Sequence, residues 1–423
     1  MLQSLQDGGQ TPEEQVLYSS IIADMQGNNL LNNAAGINFA NFSAAGIDLF
    51  YLPLGQLTGL TGANITGATS MFLSSLDGVD MTGFSANGIA INGVDFSQTT
   101  NLTGAMLDGA SALSWSTLPS GLDMTGFSAN GIALDGIDFS QTTNLTGAMF
   151  DGATSLNGAN LTGVDMTGFS ANGVILQNVD LSTALNVTGG MLNGATSLAS
   201  DNLSGVNMDG FSANGVDLTG VDFSGAVNLT ASMLNGATSL AQANLNGVDM
   251  TGFSANGIVL QTDLSGTVNL TGSMLNGAAS LSYANLSGIN MAGFSANGVN
   301  LTVANLSGTT NFTGSMLNGS TSLVGVNLSG LNLSGWTPSS SAPPDGANFS
   351  YATGLTASAI ASATESYGAT LTGTGITYDQ MYNALLNNFA SESPDAYFAE
   401  FGTPYSPDDA EAQAAAEAGS ITY

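Results

Sequence analysis

Carboxylates are the only charged side chains in this sequence: it holds 31 Asp and Glu, no Lys, Arg or His, and a formal charge of −31. Carboxylate oxygens can ligate hard cations, and paired carboxyls can work as acid and base on a glycosidic bond. Nine of them fall in two periodic series. One is Asp80, Asp123, Asp165 and Asp249, with Asn207 and Asn290 in the same register; the other is Asp95, Asp138, Asp180, Asp222 and Asp263, ending at Asn305. In a stacked coil, neighbours within a series lie two strand spacings, roughly 10 Å, apart. That is too far for one Ca²⁺, whose ligands sit at about 2.3–2.6 Å. Diffuse, weak binding of a divalent cation such as calcium is the most these columns support, and no specific metal or cofactor site is expected. No carboxylate pair stands out, and no cation could hold an anionic substrate or a developing negative charge. The expectation is therefore a protein that is not an enzyme.

The missing residue types exclude more. With no basic patch there is no direct nucleic-acid binding and no electrostatic attachment to an anionic membrane. Without Cys or His, thiolate and imidazole metal sites are ruled out. No run of about 18 apolar residues marks a membrane span, so no insertion is expected. No charged segment followed by an apolar run appears near Met1, so no Sec-type signal is visible. A chain with no site for trypsin-like proteases suits an extracellular or cell-surface location reached by another route, and that is the expectation for localisation.

Three uncharged series share the same period. Met106, Met149, Met191, Met233, Met274 and Met316 each precede a Leu or Phe. Strand alternation places one of each pair outside, and outward methionines would form a contact stripe. Thr103, Thr146, Thr188, Thr230, Thr271 and Thr313 form a second ladder, of the kind that could face ice. Asn-x-Thr/Ser triplets recur at Asn41, Asn64, Asn101, Asn144, Asn160, Asn186, Asn202, Asn228, Asn269 and Asn285. They fit the N-glycosylation pattern, but the repeat generates such triplets without any need for a glycan.

The frame that must position these columns is a repeat. Phe84, Phe127, Phe169, Phe211, Phe253 and Phe294 recur at spacings of 43, 42, 42, 42 and 41, five of them within Gly-Phe-Ser-Ala-Asn-Gly preceded by Met-Thr or Met-Ala. Phe42 and Trp336 extend the series outward, and a fixed period of this length signals a solenoid. Within one unit the central apolar residues are Leu145, Phe150, Leu156, Leu161, Met166, Ala171, Leu176 and Leu181. Their steps are five residues, with one extra residue before Leu156 and one after Leu181. Phe169 takes the place of the small inward residue and Ala171 that of the large one. With Ala148 and Phe150 one coil earlier, large and small side chains would interlock, which is why the exact repeat needs two coils.

Blocks such as Ala159-Asn160-Leu161-Thr162-Gly163 and Ala243-Asn244-Leu245-Asn246-Gly247 resemble the pentapeptide-repeat family. The resemblance implies an all-β solenoid, a right-handed quadrilateral parallel β-helix with four blocks per coil and two coils per 42-residue unit. At about 4.8 Å per coil such a rod would be roughly 70 Å long. Some members of that family are DNA mimics that inhibit topoisomerases. Residues 37–350 hold 18 Asp, roughly one charge per 4 Å of rod against one per ~1.7 Å in B-DNA, so mimicry is disfavoured.

Three segments are expected: 1–36 as an N-terminal helical cap, 37–338 as the β-helix, and 339–423 as a linker, last coil and helical cap or assembly segment. Thr11, Pro12 and Glu14 would start a helix of roughly 12–25. Asp379 would cap a helix through Phe389, with Met381 and Leu385 on one face, and Pro407 would open another. The function expected of such a chain is structural: a self-assembling rod of an extracellular filament, sheath or surface layer, its partner a second copy. A DNA-mimic or ice-binding module on the same solenoid is the alternative.

Overall fold

The computed structural model describes residues 16, 20, 38–337, 344–361, 368–391 and 407–423. The chain divides into two compact units, Met1–Ser212 and Ala213–Tyr423. Both are built on one kind of coil. In the first unit Ser70 bridges Ala90 and Ala90 bridges Ala112, all parallel, with steps of 20 and then 22 residues. Ser155, Ile175 and Ser197 repeat that alternation. In the second unit Asp217 steps 22 to Ser239, which steps 20 to Val259. The 42-residue period is thus a 20-residue coil followed by a 22-residue coil.

Each coil has four sides. Ser70, Ser75 and Asp80 bridge Ala90, Asp95 and Thr100, and on the fourth side Ala86 N–H donates to Met106 O at 2.8 Å. A side offers only one or two ladder residues before the chain turns, so the pairing appears as isolated bridges and not as long strands. The turns need left-handed backbone, as at Gly168 (φ +82°) and Gly173 (φ +79°), which glycine adopts without a Cβ clash. Inside, the central residues form the core: Leu156, Met166, Ala171 and Leu176 are fully buried, and the six repeat phenylalanines are 3–4% exposed.

The extra residues of the longer coil have definite places. Gly147–Phe150 makes a single turn of 3₁₀ helix, with Met149 N–H donating to Thr146 O at 3.0 Å. The same 3₁₀ turn occurs at Gly189–Leu192, Ala231–Leu234, Gly272–Leu275 and Gly314–Leu317, and Gly104–Leu107 forms one α-helical turn at the equivalent place. Strand alternation does not apply there, and the expected interlocking pair is corrected. Ala148 is exposed, and the small residue facing the core is Gly147. A Cβ on Gly147 would lie 2.2 Å from Met166 O; on Gly189 or Gly272 it would lie 2.7 or 2.6 Å from the Cβ of Phe211 or Phe294. Phe211 and Phe294 therefore pack over a glycine, not over the exposed residue that follows it, and in one coil the glycine's buried place is taken by Ala231.

The turn also leaves backbone groups of the next coil without a ladder partner, and one side chain meets them. Asn193 donates from Nδ2 to Gly210 O (2.8 Å) and accepts from Ser212 N–H (2.7 Å). Asn235, Asn276 and Asn318 do the same in the second unit. Asp151 can only accept, from Ser170 N–H at 2.9 Å.

Parallel pairing continues beyond residue 338: Asn327 bridges Asn348, Asn348 bridges Thr370, and Thr370 bridges Thr422. Helices α1 (Ala357–Ala361), α2 (Tyr378–Ser391) and α3 (Pro407–Ser420) lie between these rungs in sequence, with α2 packed on both others. Met381, Leu385, Ala410, Ala414 and Ala418 are buried. Thr377, rather than Asp379, caps α2: its N–H donates to Gln380 Oε1 at 2.8 Å and its Oγ1 accepts from Gln380 N–H at 3.4 Å. The two partners are three residues apart, as a capping box requires. Of the expected N-terminal helix, Val16 and Ser20 are helical, and the rest lies outside the described residues, as does the Phe389 side chain.

Candidate interaction surface

The structure gives the carboxylate columns a local task. Asp80 Oδ1 accepts from Thr82 N–H (3.0 Å), Thr82 Oγ1 (2.7 Å) and Asn101 Nδ2 (2.9 Å). Asp123, Asp165 and Asp249 hold the same three kinds of donor, the amide coming from Asn144, Asn186 and Asn269. These donors favour the ionised form. The asparagine amide is the main cause of the lowered pKa at Asp80, Asp123 and Asp249, and the Thr167 hydroxyl at Asp165. In the second column Asp263 is lowered chiefly by the Ser265 hydroxyl. Among the described residues no group of three or more Asp or Glu converges as a metal site would require.

The asparagines of the Asn-x-Thr triplets take part in this bonding. Asn101, Asn144, Asn186 and Asn269 have φ of +56 to +58°, a conformation asparagine tolerates. Asn64 is buried, its amide donating to Ala40 O and Phe42 O. The threonine ladder is not continuous: Thr146 pairs with Asp165, Thr188 with Asn207 and Thr271 with Asn290. The six methionines Met106, Met149, Met191, Met233, Met274 and Met316 are all half-buried in their helical turns.

A different exposed feature was not read from the sequence. One corner of the coil in the first unit runs Tyr51, Leu73, Gly93, Trp115, Gly136, Gly158. Every one of these residues is left-handed, including Tyr51 (φ +59°), Leu73 (φ +55°) and Trp115 (φ +63°). The ladder holds them there: Tyr51 N–H donates to Phe72 O, Leu73 N–H to Asn92 O, and Trp115 N–H to Asp135 O, at 2.7–3.0 Å. Their side chains project. Tyr51 is 60% and Trp115 65% exposed, beside the partly exposed Phe50, Phe72 and Leu73. Phe50, Tyr51 and Phe72 meet edge to face at 5.7 Å. Leu73 and Trp115 lie over Gly93 and Gly136; a Cβ on Gly136 would sit 2.1 Å from the indole. Bulky residues stand here at a corner that carries Gly93, Gly136, Gly158, Asn178 and Ser200 in other coils of this unit.

A family model described as "Pentapeptide repeats" matches in 8 copies over residues 120–168, 153–185, 202–227 and 278–321. Over those residues the chain matches the pentapeptide-repeat family. Proteins of this family fold as right-handed quadrilateral β-helices and are generally non-enzymatic structural or protein-interaction modules. Among solved structures the chain is similar to HetL, a pentapeptide-repeat protein involved in heterocyst differentiation regulation from the cyanobacterium Nostoc sp. strain PCC 7120, at 22% identity. That alignment covers 83% of this chain and 98% of HetL, with a TM-score of 0.10. It is also similar to a trypsin-treated form of QnrB1, a plasmid-mediated fluoroquinolone resistance protein, at 15% identity over 67% of this chain and 90% of that one, TM-score 0.11. At such TM-scores neither superposition carries an argument. No curated protein sequence matches the chain. No helix among the described residues is long and apolar enough to cross a membrane. Within the family frame, the aromatic corner sets this chain's surface apart from its own regular glycine corners.

Proposed function

We propose that this chain is a structural solenoid whose copies associate with one another through the aromatic corner of Tyr51, Leu73 and Trp115. The observation that carries the reading is the left-handed backbone of these exposed, bulky residues. A side chain in that conformation costs roughly 1–2 kcal/mol relative to right-handed backbone, and these project outward where glycine would serve. Exposed apolar surface of this kind marks a contact. The ridge side chains are uncharged and the chain has no cations. Copies therefore join by apolar contact and hydrogen bonds, against the mutual repulsion of −31 charges. Salt screens that repulsion, and diffuse divalent cations on the carboxylate columns reduce it further.

A filament, sheath or surface layer outside the cell is the assembly this reading implies, with helical segments capping the solenoid's ends. The bridge from Thr370 to Thr422, which returns the chain after α3 to the ladder, supports the C-terminal cap. Ice binding and DNA mimicry have less behind them, since carboxylates or amides interrupt the threonine ladder and donors from the protein itself engage the carboxylates.

Sedimentation velocity on the full chain tests the proposal, from low to molar salt, with and without Ca²⁺. Oligomers that grow with salt are expected, as is a monomer for the triple variant Tyr51→Gly, Leu73→Gly, Trp115→Gly. Glycine suits the backbone at all three sites, so the variant should melt no lower than the parent. A parent that stays monomeric at high concentration in every buffer, or a variant that still associates, overturns the reading.

A further inference from the structure

The second unit has a break in its corner column. The corner is Gly220 in one coil, Gln242 in the next, and Tyr283 and Val303 further on. Between Gln242 and Tyr283 it is missing. Leu260-Gln261-Thr262-Asp263 runs one residue short of Leu218-Thr219-Gly220-Val221-Asp222. The rung step from Val259 to Ser280 is accordingly 21 residues, where Asp217 to Ser239 takes 22. Thr262 fills the inward place of Val221, and its Oγ1 donates to Ala243 O at 2.6 Å.

The lost corner opens a groove of about 670 Å³, lined by Gln242, Asn246, Gln261, Asp263, Tyr283 and Asn285 among others. Several of these groups are held in place. Gln261 Nε2 donates to Ser282 Oγ (2.8 Å), which leaves its Oε1 as an acceptor. Asn285 Nδ2 donates to Asp263 Oδ1 (2.9 Å) and Ser265 Oγ (3.2 Å). The side-chain amides of Gln242 and Asn246 bond to no group among the described residues, and each offers both donors and an acceptor. Tyr283, 67% exposed at φ +62°, stands at the rim.

We propose that this groove is a binding subsite for a neutral carbohydrate. An aromatic ring offers a flat apolar face to the C–H face of a sugar. Amides that both donate and accept, beside a carboxylate that accepts, match vicinal hydroxyls. Anionic ligands are disfavoured by a site with no cation in a chain of charge −31. A purely apolar ligand would strand the amides.

Saturation-transfer NMR on the full chain with maltohexaose, cellohexaose and xylohexaose, and with polygalacturonate as the anionic control, tests this directly. Transfer to at least one neutral hexasaccharide is expected, with none to the control. Tyr283→Phe should retain binding, and Tyr283→Ala should weaken it by about tenfold, the size of one aromatic contact. Inserting a glycine between Gln261 and Thr262 restores the corner and the period, and should abolish binding while the chain stays folded. No transfer to any hexasaccharide at millimolar concentration overturns the proposal, as does transfer that Tyr283→Ala leaves unchanged. Should the insertion fail to fold, the two tyrosine variants decide the matter alone. None of these outcomes depends on whether copies associate through the corner of the first unit.

Discussion

Asp201 is 1% exposed in a chain whose carboxylates otherwise mostly face water. Its Oδ1 accepts from Val179 N–H at 2.8 Å, and Oδ2 has no partner. Ser116 stands at the equivalent position of another unit, accepting from Val94 N–H (3.2 Å) and donating to Ile91 O (2.5 Å). A hydroxyl can do both, whereas an ionised carboxylate can only accept. Burial accordingly pushes the Asp201 carboxyl well above the usual carboxylate range. With the folded pKa raised, its contribution to stability is fully present below the unfolded value, near 3.8, and is lost as pH rises through the folded value. Asp201→Ser should therefore stabilise the protein at neutral pH by about 1–3 kcal/mol. That gain should shrink below about pH 4, and thermal melts across pH 3–8 would show it. Gly147 makes a second prediction at this scale. Gly147→Ala adds a Cβ 2.2 Å from Met166 O. Ala231 occupies the same position in another coil and is buried there, so the coil can shift. A cost of about 1–3 kcal/mol, typical of overpacking, is expected in urea unfolding.

The element that distinguishes the longer coil is its one-turn helix with the polar residue that follows it. Asn276 satisfies Gly293 O and Ser295 N–H at 2.9 and 2.8 Å, where no ladder partner is present. Asn276→Ala removes both bonds and should lower stability by about 1–3 kcal/mol. Asp151→Asn supplies the donor that Asp151 lacks toward the Gly168 carbonyl, and should raise stability by about 1 kcal/mol. Denaturant titration of the pair would check that the effects have opposite signs. This asparagine bonding is not legible in the sequence, where each block has the pattern of a strand and alternation assigns Met149 and Ala148 to opposite faces. The helical turn instead leaves Met149 half-buried and Ala148 outside, with Gly147 against the core. Phe169 was legible, because an aromatic recurring every 42 residues in a solenoid has only the core to fill.

For the molecule as a whole, carboxylates set the response to pH and salt. Asp80, Asp123, Asp165, Asp249 and Asp263 are all held below the ordinary value of 3.8. A lowered folded pKa gives stability that is present above the unfolded pKa and lost as pH falls through the folded one. Melting temperature should fall as pH drops below about 4, opposite in sign to the Asp201 effect. Added salt near neutrality should raise it by screening the −31 charges.

The sequence alone determined the repeat, its two-coil period, the buried phenylalanines and the absence of any basic group, because periodicity and composition are properties of the chain. Tertiary structure decided where the surface features lie. The carboxylates bond to an Asn a coil away as well as to the Thr two residues on, Tyr51 and Trp115 project from left-handed corners, and one missing residue opens a groove beside Tyr283. Each depends on which residues of successive coils come into register, and a one- or two-residue change in coil length alters that register while leaving the repeat easy to recognise.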